Sequence, residues 1–376
     1  MLKKQPMFSL ALIGTFFVGI GFILSYRNQV YSFHKEVLKS YGSWNALQNK
    51  VTFFWPKPRR RPLGGRFDTI LDFCGELCDL TKEIQKNHDD VMGTVTAKVD
   101  CAAIFASDEI DKPSGHAAMQ WEMIPEHIQN EFTHHGKISV NSWFIDETFQ
   151  GGTKTVGVYS KEEIQKYIDS FLAGTPLDNY SSGSTLINQG LEQIDVKNKS
   201  ILIIGTQNPW VEAVVLSKDP SLVMTLEYGM FKSEFPKLEF VTPAVFRERY
   251  KKQELPLFDV IISYSSLEHS GLGRYGDAIN PWGDILTIAR VSCVSSPDAK
   301  LVIGVPVAGV DRIEFNAARV YGPILYPYFP RVYGPILYPY LVTNWKLFWT
   351  SAGNFTPAPD QDVNYQPVYI FEKNHQ

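Results

Sequence analysis

The sequence has little cysteine, little net charge and, beyond its first 30 residues, no long apolar run. Four cysteines (Cys74, Cys78, Cys101, Cys293) in 376 residues are too few for a disulfide scaffold. Cys74 and Cys78 stand four apart in a predicted helix, so they share a face. No second ligand pair with recognised spacing accompanies them, and they read as two small buried hydrophobes rather than a metal pair. His88-Asp89-Asp90 and His134-His135 have no partner at ligand spacing either, so no metal site is expected and solvated loops are. A net charge of −4 argues against a nucleic-acid binder acting through its whole surface. What is present is enough for a core: 44% hydrophobic and 20% charged residues exclude wholesale disorder. The length suggests about two domains.

The charge is unevenly placed. Residues 1–66 carry eleven Lys/Arg against Glu36 alone, a balance of +10, and residues 67–376 carry −14. Within the basic leader, Met7–Leu24 reads MFSLALIGTFFVGIGFIL, and no charge occurs between Lys4 and Arg27. A membrane span needs roughly 20 mostly apolar residues, whereas the core of a cleaved signal has about 7–15 before a small-x-small site. Ser25-Tyr26-Arg27 offers no such site. The expected layout is therefore a tail over 1–6, a transmembrane signal-anchor helix over 7–26 in the lipid bilayer, and a basic Pro/Gly stem over 27–66. Flanking charges nearly tie, and the expected orientation is a cytosolic tail with a luminal body in the endoplasmic reticulum or Golgi. Three glycosylation triplets, at Asn179, Asn198 and Asn354, lean the same way.

Residues 67–175 form a mixed accessory region. Phe67, Ile70, Leu71, Cys74, Leu77, Cys78 and Ile84 predict a helix over 67–86. Ser160 and Glu163 spell a capping box ahead of an apolar stripe from Ile164 to Leu172. Gly174–Gly183 reads as a loop. From there, apolar runs alternate with helical stretches: strands at 200–205, 222–228, 238–241, 258–264 and 300–307, with 345–349 and 368–372 to close the sheet. Helices are expected at 209–218 and 285–294. This alternation means parallel strands joined by crossover helices, hence a doubly wound α/β sheet over 176–376. One segment stands apart: RVYGPILYPY occurs at 319–328 and again at 331–340. Both a real tandem duplication and a faulty gene model fit that repeat.

In such a sheet, ligands sit beyond the carboxyl ends of the strands, near the switch in strand order. The loop after the first strand starts at Gly205 but lacks the G-x-G-x-x-G fingerprint. Glu227, 22 residues on at the next strand end, has the spacing of a carboxylate that accepts both ribose hydroxyls. Ser263 opens the third loop, which gathers Glu268, His269, Arg274, Asp277 and Asp284 among glycines. A carboxylate beside an imidazole is material for general-base work, and Arg can hold an anionic or polyhydroxyl ligand. A structural loop whose charges pair among themselves reads equally well.

The series ILIIG, TLEYG, FDVIISYSSLEH and KLVIGVPV resembles the class I S-adenosylmethionine-dependent methyltransferase superfamily. More closely, PWVEA, TLEYG, SSLEHSGLGRYGD, NPWGD, GVPV, D-R-I-x-F-N and R-V-Y-G resemble a nematode-rich family of methyltransferase-like proteins without an assigned activity, over roughly 145–375. The resemblance implies a mostly parallel seven-stranded sheet with its last strand, Val368–Glu372, antiparallel. It implies S-adenosylmethionine as cofactor, at Gly205, Glu227 and Ser263; the loop's own chemistry adds His269 with Glu268 as the expected base and Arg274, Asp277 and Asp284 as expected substrate contacts. Two stretches depart from the superfamily pattern: Gln207-Asn208-Pro209 replaces further glycines, and Pro297-Asp-Ala-Lys replaces a turn with paired glycines.

The leading expectation is a membrane-anchored methyltransferase acting on a hydroxyl or carboxyl acceptor, a small molecule or a glycan. A binding or scaffold protein that keeps the fold without the cofactor comes second. A luminal glycosyltransferase comes third, since no Asp-x-Asp follows an apolar strand to hold a diphosphate through a cation. On the anchor reading, alkaline carbonate washing leaves the protein in the membrane pellet. Release into the supernatant overturns it.

Overall fold

The structure, a computed structural model, describes residues 62–79, 94–112, 117–148, 156–175, 177, 181–206, 208–322, 340–352 and 366–374. The expected anchor and most of the stem lie outside the described residues. Among those that are described, no helix is long and apolar enough to cross a membrane. Residues 62–376 form one compact unit.

Its centre is a seven-stranded sheet. The strands are β3 (Ser200–Ile204), β4 (Leu222–Leu226), β6 (Leu238–Val241), β7 (Phe258–Tyr264), β8 (Ser295–Gly304), β11 (Trp345–Thr350) and β12 (Val368–Lys373). Their spatial order is β11-β12-β8-β7-β3-β4-β6. Every pairing from β8 to β6 is parallel, and β12 runs antiparallel to both neighbours. The expected strand set and the reversed last strand are therefore observed, although β8 starts five residues earlier than predicted and ends at Gly304.

The continuous apolar runs follow from burial on both faces. In β3, Ile201 and Ile203 enter one core and Leu202 and Ile204 the other. The first core is capped by α4 (Lys161–Leu172), α5 (Ser181–Leu191) and α6 (Trp210–Leu216). The second is filled from α7 (Pro243–Lys251) and α8 (Gly283–Cys293). The capping box of α4 forms as predicted: Glu163 N–H donates to Ser160 Oγ (3.1 Å), and Ser160 N–H donates to Glu163 Oε2 (2.7 Å). The predicted loop over 174–183 is cut short, because α5 already begins at Ser181.

The accessory segments pack on α8. Helix α1 (Arg66–Cys74) stops at Gly75, whose φ of 52° suits glycine, and one 3-10 turn carries on to Cys78. The predicted helix over 67–86 is thus shorter; residues 80–86 lie outside the described residues. Ile70, Cys74, Leu77 and Cys78 meet Trp282, Ile285, Leu286 and Ala289 on the side of α8 turned from the sheet. Helix α2 (Cys101–Ala106), capped by Asp100, adds Ile104 to this layer, whereas α3 (Glu126–Phe132) packs through Ile128 and Phe132 against Leu272, Ile279, Ile313 and Phe315. Two small sheets were not foreseen: β1 (Ser139–Trp143) with β9 (Arg312–Asn316) and β10 (Ala318–Val320), and β2 (Val156–Tyr159) with β5 (Met230–Ser233).

The cysteines correct the sequence expectation. They are buried or half-buried but not merely small hydrophobes, because Cys74 bonds Cys78 and Cys101 bonds Cys293. The second bond ties α2 to the end of α8 across 192 positions of sequence.

Of the repeat, the structure describes Arg319–Gly322 from the first copy and Tyr340 from the second. Arg319, Val320, Tyr321 and Tyr340 are all buried. Only the head of one copy and the tail of the other are thus seen to pack, and a single copy contains both. Deleting Phe329–Tyr340 puts Tyr328 next to Leu341 and keeps each of these residue types in order. Loop closure entropy changes slowly with length, so the shortened chain is expected to keep its cooperative melt with a change of no more than about 1 kcal/mol. Loss of the transition in thermal melts would show that both whole copies pack.

Candidate functional site

The chain runs outward from β3 to β4 and β6, then returns to place β7 on the other side of β3. This reversal opens a crevice at the carboxyl ends of β3, β4 and β7, as expected for doubly wound sheets. A cavity of about 320 Å³ lies there. Its wall takes Gly205, Thr206 and Asn208 from the first loop, Glu227 and Tyr228 from the second, and Ser265 to Asp277 residues from the third. Ile110 comes from the accessory layer, and Thr287 and Arg290 from α8.

Glu227 sits where the sequence predicts, but it is already engaged. Its Oε1 accepts the N–H of Tyr228 (2.7 Å) and of Gly229 (3.2 Å), and Oε2 accepts the N–H of Thr206 (2.8 Å). A carboxylate offers about four lone-pair positions, so about one remains, on Oε2. One ribose hydroxyl can be served there, not the expected two. Burial raises the carboxyl's pKa, and the three amides oppose that rise.

Gly205 has φ 70°, and a Cβ placed on it would lie 1.8 Å from Ser266 Oγ. The glycine therefore admits the third loop's serine against the first loop's backbone. Ser263 is fully buried inside β7, its hydroxyl 3.3 Å from the Ile204 carbonyl, and it does not reach the cavity wall; Ser265 and Ser266 do.

His269 and Glu268 are not suited to the predicted catalytic roles. His269 lines the cavity, but its Nδ1 lies 2.5 Å from the Ala317 carbonyl oxygen. Burial, with Arg274 and Arg319 nearby, pushes its pKa down to about 3, so the ring is neutral and a poor proton acceptor near pH 7. Glu268 is 1% exposed, behind the wall, with Oε1 3.7 Å from His269 Nε2. Neither of its oxygens has a hydrogen-bond partner of good geometry. Burial pushes its pKa up to about 8, with Ser265 lowering it in part, so it is mostly protonated at neutral pH.

The three expected substrate residues part company. Arg274 turns to Glu147 (2.6 Å) and lies over the Tyr275 ring at 4.7 Å. Asp284 accepts the Tyr321 hydroxyl (2.8 Å) and faces Arg319 Nε at 3.7 Å; its role is to brace the loop. Asp277 alone of the three lines the cavity. Gly271-Leu-Gly-Arg-Tyr-Gly276 literally spells G-x-G-x-x-G, and all three glycines have positive φ. The first two donate their N–H groups to Asp277 Oδ2 (2.6 and 3.3 Å), so the fingerprint here wraps a side chain of its own loop.

Sequence reasoning missed Tyr228, Trp210, Tyr264 and Arg290. Arg290 is 4% exposed within an otherwise apolar helix, which was a usable signal. It binds Asp111, as does Arg247 Nε (2.6 Å), while its own Nε has no partner. Among the described residues, no group of His, Cys, Asp or Glu could hold a metal ion.

Strand order and the reversed β12 together define a doubly wound α/β fold of the methyltransferase-like kind. The profile of the family described as "Caenorhabditis protein of unknown function, DUF268" matches residues 198–334. No curated protein matches the chain. Among solved structures, it is similar to a Burkholderia thailandensis 1,6-didemethyltoxoflavin N1-methyltransferase with S-adenosylhomocysteine bound (14% identity, 56% of this chain and 87% of that one, TM-score 0.33). It is also similar to the N-methyltransferase NodS from Bradyrhizobium japonicum (11%, 53% and 99%, TM-score 0.31). Of a hemolysin candidate from Lactococcus lactis the chain spans 57% (13% identity, 33% of this chain, TM-score 0.26).

Buried carboxyl groups give the fold a pH dependence. Burial also pushes Glu212, whose Oε1 accepts the Thr225 hydroxyl (2.7 Å), up to about 8. Between about 4.5 and 8 the folded state keeps protons on Glu212 and Glu268 that the unfolded chain has shed, so their contribution falls as pH rises through that window. His269 acts oppositely, but only between about 3 and 6.5. Above pH 6.5 the carboxyls act alone, and the melting temperature is expected to fall toward pH 8.5. Glu212→Gln flattens that fall. A melting temperature that is level or rising across this range would mean that the carboxyls are ionised in the fold.

Proposed function

We propose that this protein is a methyltransferase that binds S-adenosylmethionine across the ends of β3, β4 and β7, its body facing an oxidising lumen and its leader in the bilayer. The observation that carries the reading is Glu227 at the end of β4, above a cavity at the reversal of strand order. The nucleoside half of the cofactor fits this wall: Oε2 of Glu227 has a lone pair for a ribose hydroxyl, and Ile204, Leu226 and Tyr228 offer apolar surface. The methionine half finds Thr206 and Asn208 where superfamily members carry glycines. When bound, S-adenosylmethionine supplies an electrophilic methyl group on a sulfonium. The chain's own contribution is to position the acceptor, exclude water and take up a proton.

Two further observations bear on location and on the alternative. Both disulfides support an oxidising compartment, as does an acceptor triplet whose Asn198 is exposed, in a turn with φ 58°. Ser266 fills the space beside Gly205, and Glu227 is held by three amides; both favour the second reading, a binding protein that keeps the fold alone.

Calorimetry on the full chain in detergent separates the two. Wild type is expected to bind S-adenosylhomocysteine, and Glu227→Gln to bind it about 1–2 kcal/mol more weakly, roughly five- to thirtyfold. Folded wild-type protein that takes up no cofactor product would end the enzyme reading and leave the binding protein.

A further inference from the structure

Phe231 lines the cavity from β5, which belongs to the two-stranded sheet and not to the seven-stranded one. β5 pairs in parallel with β2, and Gly157 stands directly opposite Phe231. A Cβ on Gly157 would lie 2.5 Å from Phe231 Cδ1, and one on Gly229 would lie 2.5 Å from its Cε2. Both long edges of the ring therefore rest on bare glycine backbone. Neither glycine has a positive φ, so the local backbone does not call for glycine at either place. Glycine within a strand weakens it and often marks the close approach of another group. Here that group is the phenyl ring.

Its other neighbours fix the ring without covering it. Tyr159, two residues after Gly157 on β2, stacks on it with centroids 5.7 Å apart and planes 21° off parallel. Phe240 closes the cluster, 5.9 Å from Phe231 and 5.7 Å from Tyr159. Tyr159 and Phe240 pack against the core under α4, α5 and α6, whereas Phe231 stays half-buried and reaches the cavity. The N–H of Phe231 donates to the Gly229 carbonyl (3.0 Å), and the N–H of Gly229 donates to Glu227 Oε1 (3.2 Å). Glu227 and Phe231 are thus the two ends of one short, internally bonded arc, and both line the cavity.

We propose that Phe231 is a stacking platform for a planar unsaturated ring, and that the cavity takes ligands that carry one. Aromatic rings attract one another in offset stacks, and a platform already held in place loses little side-chain entropy when the ligand arrives. The seven-stranded sheet does not make this subsite by itself: β2 comes from the accessory region, and β5 from the connection that follows β4. The ligand ring belongs either to a purine nucleoside whose ribose reaches Glu227 or to a flat acceptor. The chemistry on Phe231 is the same for both. The inference does not need methyl transfer, because a binding protein with this fold uses the same platform.

Calorimetry on the full chain in detergent uses two flat probes, adenosine and 2-naphthol, and decahydro-2-naphthol, which has the naphthol skeleton without its π-system. Phe231→Leu keeps apolar bulk and is expected to bind adenosine, 2-naphthol or both about three- to tenfold more weakly than wild type. Its affinity for decahydro-2-naphthol is expected to stay within about twofold. A loss for adenosine alone assigns the platform to a nucleoside, and a loss for 2-naphthol alone assigns it to an acceptor. Unchanged affinity for both flat probes overturns the proposal. An equal loss for the saturated probe does so too, since Phe231 is then apolar bulk. If Phe231→Leu loses its cooperative melt, Gly157→Ala decides: its methyl would stand 2.5 Å from the ring, so unchanged binding of both flat probes again overturns the proposal. If both variants lose it, wild type that binds decahydro-2-naphthol as tightly as 2-naphthol overturns it. Folded wild type that binds neither flat probe overturns it outright. A flat probe held through Phe231 while S-adenosylhomocysteine fails to bind ends the methyl-transfer reading alone.

Discussion

Strand β3 has no exposed face, and that constraint organises the rest. Its four residues from Ile201 to Ile204 send side chains alternately into two cores, so helices must cover both sides of the sheet. Right-handed crossovers then bring the loops after β3, β4 and β7 to one end of the sheet. The reversal beside β3 keeps two of those loops from being joined by the same helix. A cavity opens at that point because no crossover helix passes over it. The site is a by-product of burying β3, furnished afterwards by loop residues.

Those loops carry an unusual density of charge with little water to share it. Asp111 holds both Arg247 and Arg290, and Arg319 serves the carbonyls of Ser270 and Pro281 while facing Asp284. Such clusters hold loops in one arrangement more than they add stability, since desolvation takes back much of the Coulomb gain. Glu212 and Glu268 escape that penalty by remaining protonated. The third loop is thus held at its base by Arg319 and wrapped around the buried Asp277 through the amides of Gly271 and Gly273.

The sheet was legible because parallel strands buried on both faces leave uninterrupted runs such as SILII and FDVIISY. The capping box at Ser160 was legible because it is local. Glu227 could be found from its spacing to a strand-end glycine. By contrast, β1 carries mostly exposed residues and pairs with β9 about 170 positions later, so no period marks it. Asp277 and Asp284 look alike in sequence; only the glycine amides around one and the Tyr321 hydroxyl on the other separate them. His269 looked basic because the burial that pushes its pKa down comes from packing by distant segments, with Arg319 of β10 adding to Arg274 of its own loop. Pairings between distant residues, Cys101 with Cys293 among them, leave no trace in local pattern.

The Cys101–Cys293 bond has a consequence for how the chain is made. Its partners are separated by 192 positions, which at about 5–20 residues per second is roughly 10–40 s of synthesis. For that interval Cys101 has emerged and its mate has not, with Cys74 and Cys78 its nearest thiols. Early pairing with either of them would strand α2 away from α8. Correct assembly of the Ile110 side of the cavity therefore requires that Cys101 stay unpaired, or exchange its first partner, until Cys293 arrives.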